Sequence, residues 1–278
     1  MARRMVGALA GLLACVLAAA ACRDDEQPFE AEVAEPGVPP EPEEAAPAPP
    51  APAPAPPPEA PADIAVRDAG FKTPESVLHD VAADVYLVSN IQGSPAEADD
   101  DGFISRLKPD GTVEALKWID GANKEVTLNA PKGMAIAGGV LYVSDIKVVR
   151  KFDVKTGAPM GEIAIRGATF LNDVAADADG VVYVTDTGVK VTPKGFEGTG
   201  TDAVYRIVGT KVESLAKGKD LGRPNGLVAD ASGVWVVTFG SGELYRIADG
   251  KRAELQKLPK GSLDGIVKTR KGLFVISS

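Results

Sequence analysis

The chain has 278 residues but only two cysteines and one histidine, and both cysteines, Cys15 and Cys22, lie in its first 22 positions. Everything after them can form neither a disulfide nor a thiolate metal site, so its stability must come from packing. Aromatic residues make up only 5% of the chain, and no basic patch interleaves with them, a composition that does not suit nucleic acid as a partner. No window sustains a 3.6-residue apolar period, which excludes a helical domain. The one apolar run of any length, Met5 to Ala21, is too short and too rich in small residues to read as a membrane span.

That run follows Arg3 and Arg4 and ends in small residues before Cys22, the pattern of a signal peptide over residues 1–21. Leu17-Ala18-Ala19-Ala20-Ala21-Cys22 resembles the lipobox of bacterial lipoproteins, with Ala19 where Leu is commoner. The resemblance implies lipidation at Cys22 as the first mature residue, and a membrane anchor in the periplasm or at the surface of a bacterium. The alternative is ordinary secretion with Cys22 unmodified. Residues 22–63 are Pro, Ala and Glu with almost no large apolar side chains. Such a stretch cannot bury enough surface to offset ordering entropy. It reads as an extended tether on the order of 100 Å long. Much of the net charge of −9 falls there, at Asp24, Asp25, Glu26, Glu30, Glu32, Glu41, Glu43 and Glu44.

Residues 64–278 read as β throughout. A short motif recurs as Pro74-Glu75-Ser76-Val77, Pro131-Lys132-Gly133-Met134, Leu171-Asn172-Asp173-Val174, Pro224-Asn225-Gly226-Leu227 and Leu263-Asp264-Gly265-Ile266. An aromatic-centred strand follows each copy, around Tyr86, Tyr142, Tyr183, Trp235 and Phe274. A third strand then recurs as Ile104–Leu107, Val149–Phe152, Val204–Ile207 and Leu244–Ile247, each followed by a turn and another short strand. Four strands at a period of about 39 to 57 residues define the blade of a β-propeller. Four units are complete, and a fifth stops at Ser278 without its outer hairpin. The sequence therefore predicts a six-bladed propeller shortened at its C-terminus, with residues 64–72 available as one outer strand for ring closure.

Inner strands of a propeller run the same way along its channel, so the residues that open them form a ring at one mouth. Glu75, Lys132, Asn172, Asn225 and Asp264 hold that position. A lone Asn-Gly or Asp-Gly is ordinarily a turn, but oxygen donors at four equivalent places point to a site. Hard oxygen ligands suit Ca²⁺, Mg²⁺ or Mn²⁺, with Zn²⁺ a further possibility. His79, after the apolar Val77-Leu78, reads as a packed or surface imidazole. The acidic run Glu97–Asp101 lacks the ligand spacing of an EF-hand and reads as a solvated loop. Thr187–Asp202 is long for a connection and reads as a lid over the channel mouth.

The motifs Pro74-Glu75-Ser76, Leu171-Asn172-Asp173, Pro224-Asn225-Gly226 and Leu263-Asp264-Gly265 resemble those of the gluconolactonase and regucalcin (senescence marker protein) family over residues 67–278. That resemblance implies a six-bladed propeller with one divalent cation, Ca²⁺ foremost, held by Glu75, Asn225 and Asp264. It also implies Asn172 as a substrate- or water-contacting residue and Asp264 as proton acceptor in the hydrolysis of a lactone or related cyclic ester. Lys132 either holds a substrate carboxylate or hydroxyl or balances the charge of the ring. A different reading stays open: a non-catalytic propeller on a stalk, binding a small molecule, glycan or protein.

Overall fold

A computed structural model of the chain describes residues 64–278; the signal peptide, Cys22 and the tether read from the sequence lie outside the described residues. The described residues are β strands joined by short turns, with a single 3-10 turn at Lys219–Leu221. The first sheet has β1 (Pro74–Asp80), β2 (Val85–Asn90), β3 (Phe103–Leu107) and β4 (Val113–Asp120) in sequential order. The second repeats this with β5 (Pro131–Ala137), β6 (Val140–Asp145), β7 (Val148–Asp153) and β8 (Pro159–Ala164). In the third, β9 (Leu171–Ala176) and β10 (Val182–Asp186) are followed by an inserted hairpin, β11 (Val189–Thr192) and β12 (Gly195–Gly198). The sheet then resumes with β13 (Ala203–Val208) and β14 (Lys211–Lys217). The fourth comprises β15 (Pro224–Asp230), β16 (Gly233–Thr238), β17 (Glu243–Ala248) and β18 (Lys251–Lys257). A two-stranded sheet, β19 (Ile266–Lys268) and β20 (Phe274–Ile276), follows. All pairings within these sheets are antiparallel, and the architecture is that of propeller blades.

The blades are held by apolar residues sandwiched between successive sheets. Leu87, Ile104, Leu128, Met134, Leu141 and Phe152 join the first blade to the second. Ile163, Leu171, Val174, Val184 and Ile207 join the second to the third. Leu221, Leu227, Val236 and Tyr245 join the third to the fourth, and Val237, Leu244, Leu263 and Ile266 continue the series. Each core thus depends on two neighbouring repeats, as in other arrays whose units cannot bury their faces alone. Full burial of such a side chain contributes roughly 1.5–3 kcal/mol. The second strands are rich in Val, Leu and Tyr, and Leu87, Leu141, Val143, Val184 and Val236 on them are almost wholly buried.

Inner strands pack in the order β1, β5, β9, β15, β19. A cavity of about 1150 Å³ runs along this arc and reaches between β1 and β19–β20, where Val77, Val81, Val267 and Val275 face it with more than half their surface exposed. The segment ahead of β1 does not form the outer strand predicted for it. Ile64 and Val66 lie against Gly111, and Gly70 against Leu116, at the outer edge of the first blade. The chain then crosses to β2, where Asn90 Oδ1 accepts from Lys72 N at 3.0 Å and Thr73 O accepts from Ile91 N at 3.1 Å.

Candidate functional site

Each inner strand of a complete blade carries a β-bulge at the same place. The register slips between Pro74 and Val77 in β1, between Pro131 and Met134 in β5, and between Pro224 and Leu227 in β15. In β9 the slip falls opposite Val184–Asp186, across Leu171 to Val174. A bulge bends its strand and re-aims side chains, and here it acts on Glu75, Lys132, Asn172 and Asn225. The recurrent motif is therefore a recurrent backbone irregularity.

Close approach between neighbouring inner strands demands glycine at two of the third positions. A Cβ on Gly133 would stand 2.2 Å from Asp173 Oδ1 and 2.5 Å from Asp173 Cα. One on Gly226 would stand 2.3 Å from the Asp264 carbonyl oxygen, which already accepts from Gly226 N at 2.8 Å. These contacts draw the motif of one blade against that of the next.

Buried hydroxyls fasten the same ring. Thr185 Oγ1, on β10, donates to the Asn225 carbonyl at 2.7 Å and accepts from Asp173 N at 3.0 Å. Ser144 Oγ, on β6, donates to the Asn172 carbonyl, and Ser89 Oγ, on β2, accepts from Ser76 N at 3.0 Å. The backbone of the ring is thus clipped both within blades and between them. One residue further on, Asp145 and Asp186 cap the chain entering β5 and β9. Asp145 accepts from Ala130 N at 2.9 Å, and Asp186 from Phe170 N at 2.9 Å.

The side chains of the ring converge. Asn225 Nδ2 donates to Asp264 Oδ1 at 3.0 Å and to the Leu263 carbonyl at 3.2 Å, which engages both its hydrogens and leaves Asn225 Oδ1 as a free oxygen donor. Asn172 Nδ2 donates to Thr187 Oγ1 at 3.1 Å, and Thr187 Oγ1 donates in turn to the Pro224 carbonyl at 2.8 Å. Asn172 Oδ1 accepts no hydrogen bond from the described residues and is a second free oxygen donor. Glu75, Lys132, Asn172, Asn225 and Asp264 all line one cavity of about 350 Å³ at the mouth. Lys132 is the most enclosed of them, 1% exposed, with Nζ on the Ala130 carbonyl at 3.0 Å and 4.6 Å above the centre of the Phe170 ring.

The sequence reading overlooked Asp173, whose carboxylate lies beside the ring and accepts from Leu227 N at 2.9 Å and Val174 N at 2.8 Å. Burial, with Asp264 nearby, pushes it up to about 7 against the pull of those two N–H groups. Burial likewise pushes Glu75 well above the usual carboxylate range, with Asp173 and Asp264 adding to the effect and Lys132 opposing it. Burial lowers the Lys132 ammonium, while Glu75 and Asp145 support its charge.

This chemistry fits a divalent cation. Among the described residues no three His, Cys, Asp or Glu side chains cluster as metal ligands on their own. A ligand set built on Glu75 and Asp264 therefore needs further oxygens, and Asn225 Oδ1, in the same cavity, is available as one. The set is all oxygen, and ionising Glu75 within it is costly without a neighbouring positive charge.

The remaining predicted features also have their places. Thr187–Asp202 is an ordered hairpin, β11–β12, whose Val189 and Phe196 line the mouth cavity. His79 stacks on Tyr86 with ring centres 4.8 Å apart, and its Nε2 lies 3.0 Å from Asp84 Oδ1 at the surface.

No protein-family model matches the chain, and no curated protein is similar to it. Solved structures do match. A nidogen/laminin complex has a chain with TM-score 0.56 at 18% identity, covering 72% of this chain and 70% of that one. A gluconolactonase from Xanthomonas campestris matches with TM-score 0.55 at 19% identity over 75% of this chain and 70% of its own. A luciferin-regenerating enzyme matches with TM-score 0.51 at 14% identity over 74% and 69%. At these identities the likeness establishes the β-propeller fold.

Proposed function

We propose that the chain is an exported, divalent-metal-dependent hydrolase that opens a lactone or related cyclic ester. The observation that carries this reading is the Asn225–Asp264 pair, which frees Asn225 Oδ1 beside two carboxylates in a cavity of about 350 Å³. The fold shared with a gluconolactonase is consistent with it. Glu75, Asn225 and Asp264 would hold the cation, Ca²⁺ foremost, and its bound form supplies Lewis-acid polarisation of the ester carbonyl and a lowered water pKa.

The residues of the chain do the rest. Asp264 takes the proton of the attacking water as the new C–O bond forms, then returns it to the ring oxygen as the acyl C–O bond breaks, leaving a hydroxy acid. Asp264 Oδ1 is occupied by Asn225, so its second carboxylate oxygen is the one that carries the proton. Asn172 Oδ1 orients substrate or water, and Lys132 balances the buried negative charge. Export through residues 1–21 and lipidation at Cys22 belong to the same proposal and would place the propeller on a tether at a bacterial membrane.

Purified chain incubated with a lactone panel and a divalent cation tests the reading. Turnover should stop on chelation and fall about 10²- to 10⁴-fold in Asp264→Ala, the range for loss of a general base. Metal binding without turnover of any lactone would favour the non-catalytic binding propeller instead.

A further inference from the structure

The lining of the mouth cavity is of two kinds, polar residues of the ring with Thr187, Ser262 and Ser278, taken as its floor, and apolar residues, taken as its wall. Ile91, Pro95, Phe170, Val189, Phe196 and Phe239 make up the wall, and none offers a side-chain hydrogen-bonding group. Three of them form a connected aromatic surface. Phe170 and Phe196 meet edge to face at 5.7 Å and 78°, and Phe196 and Phe239 at 6.0 Å and 75°. Phe196 comes from the inserted hairpin, far in sequence from Phe239, and keeps 43% of its surface exposed although it sits over the site.

Several polar groups of the floor are already engaged within the protein. Thr187 Oγ1 bridges Asn172 and the Pro224 carbonyl, and Lys132 Nζ is on the Ala130 carbonyl. A polyhydroxylated substrate would bring hydroxyls against carbon on the wall side, and each hydroxyl buried without a partner loses its hydrogen bonds to water. An apolar substituent loses nothing there and gains burial.

Resting on the lactonase reading, we infer that the substrate is a lactone whose ring carries an apolar alkyl chain, with the ring on the polar floor and the chain against Phe196 and Phe239, which Phe170 backs. A cavity of about 350 Å³ is at the small end for ligand sites and suits a single ring with a short chain. The hairpin β11–β12 is then a specificity element, since it delivers the ring that joins the other two.

The test compares γ-butyrolactone, the same ring with a pentyl chain, and glucono-δ-lactone as substrates of the full chain with its divalent cation. The pentyl lactone should have a kcat/KM about tenfold or more above both others. Phe196→Ala should lower the pentyl-to-unsubstituted ratio about fivefold, chiefly through KM, and Phe196→Leu should restore most of it. Preference for glucono-δ-lactone, or a ratio unmoved by Phe196→Ala, overturns the inference. The pentyl-substituted lactam, which resists hydrolysis, separates this from the catalytic reading by calorimetry. If no lactone turns over but the lactam binds and Phe196→Ala weakens it, the apolar site stands and catalysis falls. If lactones turn over but the lactam does not bind, the apolar site falls and catalysis stands.

Discussion

Asn225 Nδ2 reaches Asp264 Oδ1 at 3.0 Å, joining the inner-strand motifs of two successive sheets through their side chains. The bond fixes which end of the amide faces the cavity and holds one carboxylate oxygen of Asp264 in place. Asn225→Ala removes both effects. Cation affinity should fall by more than about 100-fold, because loss of even an outer partner of a metal ligand costs about 10- to 100-fold. Asn172→Ala, which disturbs a neighbouring amide, should mainly raise KM. Calorimetric titration and steady-state kinetics on both variants check the contrast.

Thr185 carries a different load. Its hydroxyl is fully buried between the Asn225 carbonyl and Asp173 N, so Thr185→Val leaves two polar groups of the ring without partners. Each such group costs about 1–3 kcal/mol. Urea unfolding should show a loss in that range, and cation affinity should fall with it because Asn225 is no longer clipped. Thr185→Ser should recover both.

Gly133 is packed against Asp173, whereas Gly261 has no neighbouring atom within 4 Å of an added Cβ. Gly133→Ala should destabilise by more than about 3 kcal/mol, the upper end of ordinary overpacking, because backbone as well as side chain must move. Gly261→Ala should be within about 0.5 kcal/mol of the parent. Thermal unfolding of the pair isolates the inter-blade contact from a general intolerance of alanine.

The acidic groups around the ring set a pH dependence in chelated protein. Asp173, ordinarily near 3.8, is held at about 7, and Glu75 is raised in the same direction. Folded chain keeps these protons after unfolded chain has lost them, so stability falls as pH rises from about 4 through 7. Lys132, lowered to about 8, acts only above that window. The melting temperature in chelator should drop between pH 5 and pH 7.5, and Asp173→Asn should flatten the drop. A melting temperature that is level or rising over this interval would contradict the assignment.

The strands were legible because a propeller blade is local: each aromatic strand pairs with neighbours close in sequence, and Tyr86 and Tyr142 fall within β2 and β6. The five ring positions were legible because the motif repeats. What escaped was whatever broke the repeat or lay outside apolar patterning. Asp173 occupies a place where other copies have Ser76, Gly133, Gly226 and Gly265, so alignment of the motif hid it. Ser89, Ser144, Thr185 and Thr238 do recur at the ends of the second strands, a signal present in the sequence that apolar patterning does not register. The hairpin β11–β12 read as a loop because residues 190–192 and 195–198 are largely solvent-facing, and Gly, Thr and Lys give no alternation. Phe170, Phe196 and Phe239 belong to no shared motif and meet only in three dimensions.

The most direct test of the ring as a cation site is a calorimetric Ca²⁺ titration of the chain alongside Glu75→Gln and Asp264→Asn. One cation should bind per chain, with affinity lost by more than about 100-fold in each variant. Failure of the parent chain to bind Ca²⁺, Mg²⁺, Mn²⁺ or Zn²⁺, or binding that survives both substitutions unchanged, would contradict the account.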